Sequence, residues 1–412
     1  MKREMLKLLK IYLIISFIVA SLSGCTAIKA MKLVNSGDMV MSNQPDSVIP
    51  LTHEMHLIFI KAKLNHSQKE YTFIVDTGAL TLISRQVATE LNLSKGIEVN
   101  AGGTGGNSKT INLVKLDSII VGNMEVTNCA TGVTDFQHQF SRRIAGILGS
   151  NFLRHFKITI DYQQKELILS EDTKPVVIQD EEIKIPFETD MKSGFAPVVE
   201  CVLDGGEKAT GLIDTGFPGF MAFPVSMIHK SESFNNGSVV TSNGSMNGGM
   251  FGMENIESYA LRFNRVKIGN LKLINVPSTS HSGKDGQVLL GNKLLEKYIV
   301  TINYPAQEMT LKPCGAPFET NIPSYGLALT KKNKKTIVSG VWQNSIAARK
   351  GLKPGDEIIK INSIETSSIS SVLELMAMFM DEKINSIEIE FQNEKARKTI
   401  VLQKDNLLPA LE

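Results

Sequence analysis

The sequence predicts a mainly β chain in which one β unit occurs twice and a smaller α+β module follows. Three observations carry this expectation. Beyond residue 50, the 412-residue chain runs in short apolar stretches broken by Gly and Asn, the pattern of strands and turns. Three motifs recur in one order: FIVDTG at Phe73–Gly78 with GLIDTG at Gly211–Gly216, VGNMEVTN at Val121–Asn128 with IGNLKLIN at Ile268–Asn275, and the stretches starting at Gly149 and Gly291. After Pro317 the pattern changes to a strand, a Lys-rich turn, a returning strand and an apolar helical face at positions 372, 375, 376 and 379.

The N-terminus reads as an address. Lys2, Arg3, Lys7 and Lys10 precede an apolar run from Ile11 to Leu22, as in a secretory signal peptide, and the run is short for a membrane-spanning helix. Leu22-Ser23-Gly24-Cys25 resembles the lipobox of bacterial lipoproteins, which implies diacylation of Cys25, a signal peptide over 1–24 and a tether over 25–48. The formal charge is +2, and residues 1–24 hold four basic and one acidic side chain, so the remainder carries −1. Such a near-neutral surface offers no electrostatic reason to bind nucleic acid.

The duplicated unit occupies 49–172 and 173–316. Aligned from Gly149 and Gly291 without gaps, the third motif pair shares seven of 21 positions, including Thr159/Thr301 and Tyr162/Tyr304. Offsets of 138, 147 and 142 residues separate the paired motifs, so the copies differ mainly in loop length. With only two copies this is a duplicated domain and not a solenoid. In each copy an apolar strand ends in Asp-Thr-Gly, and a Gly-rich hairpin follows, Gly96–Gly106 or Gly237–Gly252. A Gly-Asn hairpin comes next, then an apolar-apolar-Gly strand, a short helix and an exit strand. Glycine at this density permits turns and lets a backbone hairpin lie close over a ligand.

The spelling Asp-Thr-Gly has a physical reason. A carboxylate at the end of an apolar strand must leave the sheet in a sharp turn, which Gly78 and Gly216 permit. A small Thr hydroxyl satisfies backbone groups of the opposite copy. Two carboxylates brought together cannot both ionise easily, so they share one proton. One is then a general base for water and the other an acid toward a substrate carbonyl.

On these motifs the two copies resemble retropepsin-like aspartic proteases fused into one bilobal, pepsin-like chain. The resemblance implies two β-barrel lobes, an Asp76/Asp214 catalytic dyad, and support from Thr77, Gly78, Thr215 and Gly216. Ala79 is as in retroviral enzymes. Phe217 departs from the family pattern, a bulky residue where a small one is usual, and bears on the geometry of the second turn. No G-x-S-x-G elbow, phosphate-binding loop or H-E-x-x-H occurs.

The segment A-x-x-x-G-L-K-P-G-D-x-I-x-x-I-N within Ser345–Glu365 resembles PDZ domains and places one at 317–404, leaving a tail at 405–412. The resemblance implies a peptide-binding loop at Tyr325, Gly326, Leu327, Ala328 and Leu329, with capture of protein C-termini as the expected role. Ala328 stands where the PDZ loop has its second Gly.

Cys129, Cys201 and Cys314 do not form a disulfide framework, although one pair is possible. The seven His show no metal-like grouping, and His53 and His56 are simply close in an apparent strand. The expected protein is therefore an aspartic-type endopeptidase of the bacterial cell envelope, lipid-anchored and extracytoplasmic. It needs no metal or organic cofactor, and its partners are peptide or protein substrates and the membrane. The alternative is an inactive peptide-binding lipoprotein that uses the inter-lobe cleft and the PDZ groove.

Overall fold

The computed structural model describes residues 26–410 except 104–106, 137–138, 142, 176–180, 190, 236–237, 255, 284–285 and 395. Cys25 and the signal segment lie outside the described residues. The fold is mainly β: two aspartic-protease-like lobes and a C-terminal PDZ domain. Among the described residues, a nine-stranded sheet forms the first lobe, and a six-stranded sheet joins the lobes. A 13-stranded sheet runs from the second lobe into the PDZ domain.

The joining sheet displays the duplication directly. The exit strands Lys157–Asp161 and Tyr298–Asn303 pair antiparallel at its centre, with Thr159 opposite Thr301 and their hydroxyls 3.0 Å apart. Outward on one side lie Glu166–Ser170 and Asp46–Pro50, and on the other Glu308–Pro313 and Ile183–Pro186. A pseudo-two-fold axis thus passes by the Thr pair, and one offset of 142 residues maps Lys157–Asp161 and Glu166–Ser170 onto their counterparts in the other half. Alternation along these strands buries Ile158, Ile160, Val300 and Ile302 in a core shared by both lobes.

Each apolar-apolar-Gly strand lies beside its Asp-Thr-Gly strand. Ile144–Gly149 runs parallel to Glu70–Asp76 with Gly149 opposite Asp76, and Val288–Leu290 runs parallel to Lys208–Ile213. These strands are buried on both faces and so read as unbroken apolar runs. A Cβ at Gly149 would stand 2.3 Å from Ala79 O, and one at Gly291 2.3 Å from Gly219 O. Only glycine lets the two loops pass so closely.

Three expectations about organisation change. The tether is folded: residues 26–34 form a helix with Ala30 packed on Leu113 and Ala130, and Asp38–Val40 pairs with Met124–Thr134. The tail is docked as well, since Leu408 is buried with Ala260 and Trp342 and exchanges hydrogen bonds with the Asn321 side chain. The second Gly-rich stretch is not a free hairpin. Its strand Val240–Gly244 pairs with the PDZ strand Lys335–Trp342, Asn243 opposite Val341 and Gly244 opposite Gly340.

The PDZ helix Val372–Met380, capped by Ser371, docks on the other lobe. Leu373 packs with Leu57, Phe59, Ile74 and Ile144, and its N–H donates to Gln139 O at 2.9 Å. The helical face read from the sequence turns Leu375 into the PDZ core, whereas Leu373 covers the lobe. Cys129 and Cys201 lie buried in different lobes and Cys314 beyond them, and all three are free thiols, so none of the possible pairs forms.

Candidate active site

Asp76 ends the strand Glu70–Asp76, and Asp214 follows directly after Lys208–Ile213. Each carboxylate is held by the amide two residues on: Gly78 N–H donates to Asp76 Oδ1 at 2.8 Å, and Gly216 N–H to Asp214 Oδ1 at 2.9 Å. The turns therefore have the same shape, although one continues into Ala79 and the other into Phe217.

The two Thr side chains lock the turns together reciprocally. Thr77 N–H donates to Thr215 Oγ1 at 3.0 Å, and Thr215 N–H donates to Thr77 Oγ1 at 3.1 Å. Each hydroxyl then donates onward to the opposite strand, Thr77 to Ile213 O at 2.6 Å and Thr215 to Val75 O at 2.9 Å. Both Thr are fully buried. Four bonds that all cross between lobes set the separation and angle of the two turns.

The carboxylates consequently face each other. A Cβ on Gly78 would stand 2.8 Å from the Asp214 carboxyl carbon, and one on Gly216 2.3 Å from Asp76 Oδ2. Glycine is thus required at both positions because the other lobe's carboxylate occupies the space. At this spacing each acid bears directly on the other's ionisation. Burial raises both: Asp76, half-buried, is pushed up to about 6, and Asp214, 6% exposed, is held well above the usual carboxylate range by burial and by the negative charge of Asp76. The pair therefore shares one proton and titrates as a unit.

An outer layer repeats the symmetry and was not singled out from sequence. Ser150 Oγ donates to Thr77 O at 2.6 Å and meets Tyr304 OH at 2.8 Å. Asn292 Nδ2 donates to Thr215 O at 2.6 Å, and Tyr162 OH donates to Asn292 Oδ1 at 2.7 Å. Each Tyr belongs to the lobe opposite the helix it supports. The identity Tyr162/Tyr304 at the 142 offset was the available signal.

Phe217 is accommodated. A Cβ at Gly219 would lie 2.3 Å from the Phe217 ring and one at Gly291 2.5 Å, so two glycines leave room for the ring. The side chain packs toward Ala196, Leu212, Ala222 and Leu289. The Gly-rich stretches meet: Met250 and Phe251 of the second and Val99 and Ala101 of the first pack, like Ala79, on one apolar cluster of Leu82, Ile111, Phe136 and Ile147, and Asn107 Nδ2 donates to Met253 O at 3.0 Å.

The PDZ loop has a different placement from the dyad. Strand Leu327–Lys332 begins after Gly326, whose φ is +88°, and pairs on one side with Lys335–Trp342. Leu327 and Leu329 point into the PDZ core, and Ala328 is half-buried beside a register shift. Tyr325 is also core: its ring meets Phe379 edge-on and its hydroxyl donates to Ile384 O at 2.7 Å. Gly326 N–H donates to Ser324 Oγ at 3.0 Å, so this amide is engaged within the loop.

Residues 60–152 match an aspartyl protease family model. A PDZ domain model matches residues 337–388. No curated protein matches the chain. Among solved structures it is similar to basic 7S globulin from soybean, at 10% identity and a TM-score of 0.39 over 65% of this chain and 94% of that one. It is also similar to an aspartic proteinase from Irpex lacteus, at 12% identity and a TM-score of 0.43 over 67% of this chain and 99% of that one.

Proposed function

We propose that the chain is an aspartic-type endopeptidase in which Asp76 and Asp214 activate water against a peptide bond. The observation that carries this is the reciprocal Thr77/Thr215 lock, which holds two raised carboxylates face to face across a pseudo-two-fold axis. A duplicated fold without that chemistry has no use for two facing acids that oppose each other's ionisation.

The chemistry follows from the environments. Ionised Asp76 takes a proton from water while protonated Asp214 donates toward the substrate carbonyl oxygen, giving a tetrahedral intermediate. The proton taken from water then passes from Asp76 to the leaving amine as the C–N bond breaks, while a hydroxyl of the intermediate returns a proton to Asp214, so the dyad ends in its starting state. The residues that do this are all side chains of the protein, and the step draws on no further group. An extended substrate lies under the Gly-rich stretches, so the bond that joins them, Asn107 Nδ2 to Met253 O, must open for it to enter. The PDZ strand Leu327–Lys332 is the proposed edge for a captured peptide terminus.

Lipidation at Cys25 and an extracytoplasmic, envelope location complete the proposal. Cys25→Ser is expected to abolish fatty-acid labelling and membrane retention, and equal labelling of both proteins would refute the anchor. The activity itself is tested with a peptide library at pH 5 to 8, with and without a transition-state-mimicking inhibitor of aspartic peptidases. Inhibitor-sensitive internal cleavage supports the reading, and an uncleaved library overturns it.

A further inference from the structure

A second polar cluster lies where three parts of the molecule meet. Thr52–Glu54 and Leu57–Leu64 form a hairpin with Glu54 opposite Leu57, so Met55 and His56 are its two turn residues. Both have φ of +55°. Asn and Gly are the usual residues of such a turn, because a β-carbon is disfavoured at positive φ. The Met-His turn instead points an imidazole at the second lobe.

There it meets Glu296, which closes the helix Asn292–Leu295. His56 Nδ1 is 2.9 Å and His53 Nε2 3.4 Å from the same oxygen, Glu296 Oε2. The three side chains are 10%, 19% and 14% exposed, in the order His56, His53, Glu296. His53 Nε2 is buried without a hydrogen-bond partner. The other nitrogen of His56, Nε2, faces Glu382 Oε1 of the PDZ domain at 3.5 Å. The His53 ring stands edge-on to Tyr162 at 5.0 Å.

We propose that His53, His56 and Glu296 bind a divalent cation of the zinc class. Donors held about 2.0–2.2 Å from zinc in a tetrahedron stand about 3.3 Å apart. The spacings to Glu296 Oε2 bracket that value, and all three donor atoms lie within 4.8 Å of one another. Two imidazoles and a carboxylate suit zinc better than magnesium or calcium. Glu382 is the carboxylate that orients His56 through its far nitrogen, as ligating histidines require. The fourth position is left to water.

The cation would staple the lobes near the dyad. Asn292 Nδ2 donates both to His56 O at 2.7 Å and to Thr215 O at 2.6 Å, so the His turn and the second Asp-Thr-Gly turn share one side chain. The sequence concealed the site because the third donor lies 240 residues from His56.

The test is a titration of metal-free full-length chain with Co²⁺, followed by displacement with Zn²⁺. The expected result is one equivalent of Co²⁺ with the visible d–d absorption of a four-coordinate site. Glu296→Gln and His56→Gly are each expected to weaken binding at least roughly tenfold. Glycine suits the positive φ of residue 56, so that variant keeps the turn while losing the ligand. Glu382→Gln is expected to weaken binding less. Wild type without d–d absorption or retained zinc overturns the proposal, as does unchanged affinity in both ligand variants.

Discussion

Replacing Thr77 by Val tests the lock between the turns with almost no change of shape. The hydroxyl accepts from Thr215 N–H at 3.1 Å and donates to Ile213 O at 2.6 Å in a fully buried setting. Valine removes it, so both backbone groups lose that partner away from water. Each orphaned group costs about 1–3 kcal/mol, and the near-isosteric methyl leaves no cavity, so a loss of roughly 2–6 kcal/mol is expected. Thr215→Val is expected to match it, because Thr215 Oγ1 accepts from Thr77 N–H and donates to Val75 O. Thr159→Val is the control: it removes one half-buried bond on the same axis and is expected to cost only about 0.5–1.5 kcal/mol. The assay is denaturant unfolding followed by far-ultraviolet circular dichroism. The single Trp, Trp342, is packed with Ala260 and Leu408, so its fluorescence reports the junction with the PDZ domain and serves as a separate probe. If Thr77→Val unfolds no more easily than Thr159→Val, the lock does not hold the lobes in register.

Three further outcomes follow from the same geometry. Cleavage is expected to rise with pH through about 6, as Asp76 ionises beside protonated Asp214, and to fall when the second proton is lost; a kcat/KM profile checks both limbs. Both acids are raised in the folded state, so their contribution to stability is present at low pH and is lost as pH rises above the ordinary carboxylate range, through about 6 for Asp76 and further where Asp214 ionises, and Asp214→Asn should flatten that loss in unfolding measurements. Removing residues 318–412 is expected to lower kcat as well as raise KM, because it strips the partner strand from Val240–Gly244 and uncovers Leu57, Phe59, Ile74 and Ile144. Unchanged kcat on short peptides would show that the PDZ domain acts only through capture.

What was legible in the sequence was local or repeated. Asp-Thr-Gly beside an apolar-apolar-Gly strand appears twice because each copy must build one turn and one close crossing, and both leave glycines in the text. The Thr hydroxyls could be assigned to the opposite copy because a small polar residue after a buried strand needs backbone partners. Contacts between distant segments were not legible. Ala30 and Leu408 look like tether and tail residues, and only the three-dimensional fold supplies Leu113, Ala130 and Trp342 as their neighbours. Phe217 looked disruptive because its room is provided by Gly219 and by Gly291, 74 positions away in the chain. The second Gly-rich stretch resembled a free hairpin because nothing in its spelling reveals the PDZ strand that completes its sheet.

The most direct test of the central claim compares wild type, Asp76→Asn and Asp214→Asn on one peptide that the wild type cleaves, near neutral pH. Asn keeps the side-chain shape but cannot take part in the shared-proton step, so each single variant is expected to retain less than about 1% of kcat. Circular dichroism matching wild type assigns the loss to chemistry. A folded variant that retains a substantial fraction of the wild-type rate would contradict the two-carboxylate mechanism.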